Sequence, residues 1–316
     1  FEVSNWFDTG SVEHLNKAKT NYIQKYKVLD KHEESIYFID NAVIKFFNDS
    51  NLCINRVKRA TVLDGLIPKV VKHSDNFYKY ELVDGDLLSN VITESKLKNL
   101  ISWAETNLWT PVDVDKSIFM SRCKNFYITK TKQRIQQYLI SNSLYDRSEK
   151  INNVEVPSCE DLLNMINWEN MCLTEPVNFH GDFILDNILY KDGFFMLLDW
   201  RQDFGGEIIG GDKYYDLSKL NHNLTINHEM LHNNYYFINK TKDNTCCDIF
   251  RSQNMVQCQQ TLINVLEQKG IDTNKVKILT SIIWLNMAPL HVYPLNNFLF
   301  YFGKYNLWRE ICSIKY

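Results

Sequence analysis

Residues 178–200, NFHGDFILDNILYKDGFFMLLDW, constrain the fold of this chain more than any other stretch. Two apolar runs, N-I-L-Y and F-F-M-L-L, flank Lys191-Asp192-Gly193. An Asp-Gly between two β-rich runs predicts a hairpin. Ahead of it stand His180, Gly181 and Asp182, and the spacing H-G-D-x-x-x-x-N ends at Asn187. The hairpin returns a second acid, Asp199 of LLDW, to the side of Asn187. A carboxylate, a carboxamide and a further carboxylate in this order match what phosphoryl transfer from a nucleotide requires. One group takes the proton of the attacking hydroxyl, and the other two hold the magnesium that neutralises the phosphates.

The pattern resembles that of the aminoglycoside phosphotransferase and choline kinase families, relatives of the protein kinases that act on small molecules. The resemblance covers residues 24–220 at the level of motifs and the remainder by position. It implies an α+β, protein-kinase-like, two-lobed fold, with a small antiparallel β-sheet N-lobe over 24–84 and a large, mainly helical C-lobe over 85–316. The N-lobe would bind ATP or GTP, and the C-lobe would carry the catalytic loop, the metal site and the acceptor pocket. Carried over position by position, Asp182 is the catalytic base, His180 orders the loop, and Asn187 and Asp199 are the magnesium ligands. The partner implied is a small molecule with a hydroxyl acceptor.

Composition narrows the alternatives. A chain of 316 residues with 45% hydrophobic side chains can bury a substantial core. A net charge of −3 gives no global basic field to recruit nucleic acid. No apolar run is long enough to span a bilayer, and no signal peptide is visible. Eight scattered cysteines, without a C-x-x-C pair, read as reduced thiols of a cytoplasmic protein.

Residues 1–23 read as a leading helix with Ser11 as its N-cap. Their W-F-D-T-G-S-x-E pattern is similar to the end of sugar-nucleotide pyrophosphorylases, and the chain starts with Phe. Both point to a fused or neighbouring nucleotidyltransferase. Strands are expected at 26–29, 35–39, 42–47, 66–71 and 77–83. Ala42-Val43-Ile44-Lys45 is similar to the kinase strand that presents a lysine to the phosphates. Two departures stand out. The turn 30–35 has no glycine, which leaves Ser35 or backbone amides to cover the phosphates. The following helix, 54–60, has no glutamate for Lys45, so Asp64 is the nearest alternative acid. Glu81 and Val83 take the position of the adenine-binding hinge.

From 87 to about 175 the pattern is helical, with Arg122, Lys124, Lys130, Lys132 and Arg134 forming a stripe read as a solvated face. Residues 141–160 read as a loop or insertion. Beyond Asp199, Arg201 and Asp203 lie where an acceptor would reach them, and G-D-x-x-Y-D-L offers Asp216 as a support for the catalytic loop and Asp212 as a helix cap. Residues 214–316 read as helical, with Trp284, His291 and Tyr293 as acceptor-pocket candidates. Phe298, Tyr301 and Trp308 fit either that pocket or a bundle core. The acceptor class that fits best is a sugar or an amino alcohol such as choline or ethanolamine, used in cell-surface glycan synthesis. An aminoglycoside is the alternative within the class. A nucleotide-binding pseudokinase acting as regulator or scaffold is the alternative outside it.

Overall fold

The computed structural model describes Ser11, His14, and residues 33–39 and 41–314. The strand expected at 26–29 and nearly all of the leading segment 1–23 lie outside the described residues. His14 donates its amide to Ser11 Oγ at 3.2 Å, the contact expected of a serine cap. The architecture is an α+β fold with an antiparallel sheet in its N-terminal region and a mainly helical C-terminal region. It divides into two compact units, residues 33–54 with Val70–Leu82, and Asn55–Lys69 with residues 83–314.

The first unit is a four-stranded antiparallel sheet formed by β1 (Glu34–Ile39), β2 (Ala42–Phe47), β3 (Val70–His73) and β4 (Phe77–Glu81), in the order β1-β2-β4-β3. Period-two alternation decides its faces. Val43, Lys45 and Phe47 of β2 are buried, and their register partners on β4 include Tyr80 and Tyr78, also buried. Phe47 stacks on Tyr78 with ring centroids 5.3 Å apart. The helix α1 (Ser50–Val62) begins here, with Asp49 Oδ1 accepting the Asn51 amide at 2.9 Å. The strand expected at 66–71 starts only at Val70. Pro68 has no amide for the ladder, and Leu66 instead accepts from Leu197 at 2.9 Å.

The second unit opens with β5 (Asp86–Leu87) and the helices α2 (Leu88–Val91), α3 (Glu94–Trp103), α4 (Lys116–Lys124) and α5 (Lys130–Ser141). The π-helical segment Asn125–Thr129 joins the last two. Then follow β6 (Glu149–Ile151), β7 (Val154–Val156), α6 (Cys159–Met165) and α7 (Trp168–Cys172). The hairpin of β8 (Ile188–Lys191) and β9 (Phe194–Leu197) turns at Asp192 (φ 48°) and Gly193 (φ 91°), as the Asp-Gly signal predicts. Helices α8 (Lys213–Thr225) and α9 (His228–His232), strands β10 (Tyr236–Lys240) and β11 (Thr245–Ile249), and helices α10 (Gln253–Gln268), α11 (Thr273–Met287) and α12 (Leu295–Ile314) complete it. Its core is apolar and aromatic and takes in α11 and α12 along much of their length.

Two expectations are corrected here. Residues 141–160 are not irregular, because β6 and β7 pair as a hairpin across Asn152 and Asn153, both at positive φ. Nor is the chain purely helical after 214. The hairpin β10–β11 continues the same sheet, in the order β10-β11-β6-β7, so two polar hairpins complete each other. Phe298 and Tyr301 are buried in the bundle core. Among the described residues no helix is long and apolar enough to cross a membrane.

Candidate active site

The H-G-D loop is built by backbone constraint before any chemistry. Gly181 has φ +85°, and a Cβ there would lie 2.4 Å from Arg201 Cβ, so only glycine fits. Gly211 is as tight, since a Cβ would meet the Phe179 ring at 2.4 Å. His180 is fully buried and uses both ring nitrogens. Nδ1 accepts the Asp182 amide at 3.2 Å, which makes Nε2 the donor to the Leu198 carbonyl at 2.8 Å. Burial pushes its pKa down to about 4, so the ring is neutral and acts as a strut between the loop and the strand end.

One face of α8 supports the same loop. Asp216, Lys219 and Asn223 follow at helical spacing. Asp216 accepts the amides of His180 (2.8 Å) and Gly181 (2.7 Å) and the Trp109 indole N–H (3.0 Å). Burial raises its pKa to about 6 even against these three donors. Asn223 Oδ1 accepts the Leu185 amide at 3.0 Å, and its Nδ2 donates to Asp186 at 3.0 Å. Asp212 caps the helix on the Tyr214 amide and also accepts the Tyr127 and Thr174 hydroxyls.

On this frame Asp182 and Asn187 meet. Asn187 Nδ2 donates to both the carboxylate and the carbonyl of Asp182, each at 3.0 Å. Lys219 Nζ lies 2.7 Å from Asp182 Oδ1, with the carboxylate side chain about a third exposed at 32%. Burial alone would raise the Asp182 carboxyl, but the Lys219 ammonium outweighs it and holds the pKa at about 2. Asp199 stands at φ +54°, an uncommon and costly conformation for a non-glycine residue and one that concentrates at functional sites. The chain around it is tied to the loop: Leu198 donates to the Asn187 carbonyl at 2.7 Å and Arg201 to the His180 carbonyl at 3.0 Å. Arg56 of α1 forms a largely buried ion pair with Asp199, and the Trp200 indole donates to the Arg56 carbonyl at 2.8 Å. Arg59, one turn on, donates to the carbonyls of Phe179 and Ile208.

The other expected residues fall in several places. Lys45 is buried at 3% exposure on β2, paired in register with Ile36 and Tyr78. Ser35 is not in a turn: it is a residue of β1 paired with Phe46, on the sheet face opposite Lys45. Glu81 ends β4 and is exposed, and Val83 follows it outside any strand. Arg201 packs on Gly181, and its Nε donates to the Asp203 carbonyl at 3.0 Å. Asp203 Oδ1 accepts the Gly206 amide. Trp284 is buried and donates to His222 Nδ1 at 2.8 Å, His291 is half-buried, and Tyr293 is 75% exposed. Asp64 is exposed beyond α1.

Sequence reasoning missed Arg56, Arg59 and Lys219. The helix expected to offer an acid turns these two arginines inward instead. The i, i+3 spacing from Asp216 was a usable signal for Lys219.

Magnesium is the metal this fold implies, and the donor chemistry fits it. Asn187 spends its amide N–H groups on Asp182, and its amide oxygen accepts no hydrogen bond among the described residues. With the Asp199 carboxylate this is a hard-oxygen pair, the sparse set that magnesium takes when phosphates complete its shell.

A sheet-based N-terminal region followed by a mainly helical C-terminal region is a protein-kinase-like α+β fold. Two solved structures share that fold. The ADP-bound aminoglycoside phosphotransferase APH(2'')-Ib aligns at TM-score 0.52 and 14% identity, over 94% of this chain and 96% of its own. A protein from Thermobifida fusca YX-ER1 designated a fructosamine-3-kinase aligns at TM-score 0.52 and 10% identity, over 89% and 91%. A choline/ethanolamine kinase family protein from Mesorhizobium loti follows at TM-score 0.49 and 11% identity, over 95% and 99%. No protein-family model matches the chain, and no curated protein matches it in sequence.

Proposed function

We propose that the chain is a phosphotransferase that moves the γ-phosphate of ATP or GTP to a hydroxyl of a small molecule. The observation that carries this reading is the Asp182–Asn187–Lys219 cluster on a loop held by Asp216. Asp182 accepts the proton of the acceptor hydroxyl, and the freed oxygen pair attacks the γ-phosphorus. The bond to the β,γ-bridging oxygen breaks, and its electrons leave on the nucleoside diphosphate. At a pKa near 2 Asp182 is fully ionised at neutral pH, ready to receive that proton as it is released. Lys219 orients the carboxylate and places a fixed positive charge where the transferred group carries negative charge. His180 and Asp216 hold the loop, and Lys45 contacts the nucleotide phosphates. Asn187 and Asp199 would hold magnesium, whose charge when bound offsets that of the phosphates.

Magnesium-dependent release of ADP or GDP, measured over sugars, amino alcohols and aminoglycosides with Asp182→Ala alongside, tests this. Turnover with one acceptor class, lost in the variant, is the expected result. One observation favours a second reading: α1 supplies Arg56, not an acid, and Arg56 already neutralises Asp199. Nucleotide binding without turnover on any acceptor would favour a nucleotide-binding regulator.

A further inference from the structure

The stripe of basic residues on α4 and α5, read from sequence as a solvated face, is one only in part: Lys132 is exposed, but Lys130 and Arg134 are not. Lys130 and Arg134 stand one turn apart on α5, and both are half-buried. The Lys130 ammonium lies 4.3 Å from the centroid of the buried Phe126 ring, and the Arg201 guanidinium lies 5.1 Å from the same centroid. Arg201 is fixed beside the catalytic loop by its packing on Gly181, the residue before Asp182. Its side-chain hydrogen bond, from Nε to the Asp203 carbonyl, leaves both terminal nitrogens available. Among the described residues Arg134 hydrogen-bonds Gln137, at 3.2 Å. Among the described residues no carboxylate forms an ion pair with Lys130, Arg134 or Arg201.

Three basic groups therefore share one partly buried place, with no carboxylate in ion-pair contact among the described residues. Burial, then the charges of Arg201, Arg134 and Lys219, pushes the Lys130 pKa down to about 6, and Asp203 opposes this only in part. At neutral pH Lys130 is then mostly neutral, and an anion bound between it and the two guanidinium groups favours its protonated form. Two of the three groups can present paired N–H donors, the geometry that carboxylates and phosphates accept.

We propose that Lys130, Arg134 and Arg201 form a subsite for an anionic group, a carboxylate or a phosphate ester, carried by the acceptor whose hydroxyl Asp182 deprotonates. This rests on the kinase reading above and narrows its acceptor. A cationic aminoglycoside or choline would meet repulsion at this place, whereas a sugar phosphate, sugar acid or hydroxy acid would be drawn to it. The cluster is separate from Lys219, whose ammonium is already engaged with Asp182.

The test is calorimetric titration of the full chain with glycerol 3-phosphate, glycerate, glycerol and choline. Magnesium and a non-hydrolysable ATP analogue are held at saturation, so that a γ-phosphate already fills the transfer position. The anionic probes should bind and the others should not. Lys130→Met with Arg134→Gln should weaken glycerol 3-phosphate and glycerate by about tenfold or more, the scale of lost charged hydrogen bonds. Unchanged affinity for the ATP analogue shows that the doubly substituted chain is folded. Choline or glycerol binding as tightly as the anions, or anion binding indifferent to the double substitution, would overturn the subsite and leave the kinase reading standing. Failure of the ATP analogue and of its GTP counterpart to bind the unsubstituted chain would instead remove the kinase reading, and the subsite with it.

Discussion

At Asp182 two effects oppose each other: burial raises the carboxyl pKa and Lys219 lowers it to about 2, against an ordinary 3.8. A carboxyl depressed in the folded state adds stability that is present above its unfolded pKa and is lost as pH falls through about 2. Lys219→Met leaves burial unopposed, so the pKa should rise above 3.8 and the acid limb of the kcat/KM profile should move to higher pH. A pH–rate profile of the two proteins checks this, and an unmoved limb would deny Lys219 its role. Gly181→Ala should destabilise by more than about 1 kcal/mol, because it combines positive φ with overlap on Arg201. Urea denaturation measures it. Asp182, Asn187 and Asp199 were legible in the sequence because one short segment carries all three at fixed spacing. Arg56 and Lys130 were not, because they arrive from helices distant in sequence and their contacts exist only once those helices pack, and Lys219 was signalled only by its i, i+3 spacing from Asp216.

Helix α8 is the element on which the loop depends, since Asp216 serves two loop amides and an indole at once. Asp216→Asn turns an N–H₂ group toward one of these donors and should cost about 1–3 kcal/mol. The loss should appear as a lower denaturation midpoint together with a fall in kcat. Because the folded pKa of Asp216 is raised to about 6, its effect on stability has the opposite sign to that of Asp182. It favours the fold at low pH, and that contribution is lost as pH rises through about 6.

Helix α1 supplies the counter-charge to Asp199. Arg56→Ala should lower the melting temperature, since it removes a positive charge paired with a mostly buried carboxylate. Magnesium should then stabilise the variant more than it stabilises the parent, in a thermal-shift series without nucleotide. Equal shifts would mean that Asp199 does not receive the metal. The strands missed in the sequence, β6, β7, β10 and β11, are short, at three to five residues each. The hairpins β6–β7 and β10–β11 bury too few residues to show an apolar alternation, and they become a sheet only by adding to each other.

For the molecule as a whole, the α+β class was what the resemblance carried by the H-G-D block implied, and the helical C-terminal region was readable from periodicity. The N-terminal sheet was readable in outline, with β3 displaced by Pro68. The acceptor was not readable. Aromatic residues such as Phe298 and Tyr301 read equally well as pocket or core, and the charge beside Asp182 depends on Lys130 and Arg201 sharing the Phe126 ring. The central claim is direct transfer of a γ-phosphate that depends on Asp182. Phosphorus NMR of the chain with magnesium, ATP and a mixture of hydroxylated acceptors follows that transfer itself. A phosphomonoester resonance should grow as the γ-signal of ATP declines, and Asp182→Ala should slow it by about 10²–10⁴-fold. An ester resonance that grows equally fast in the variant, or nucleotide binding with no ester from any acceptor, would contradict the account.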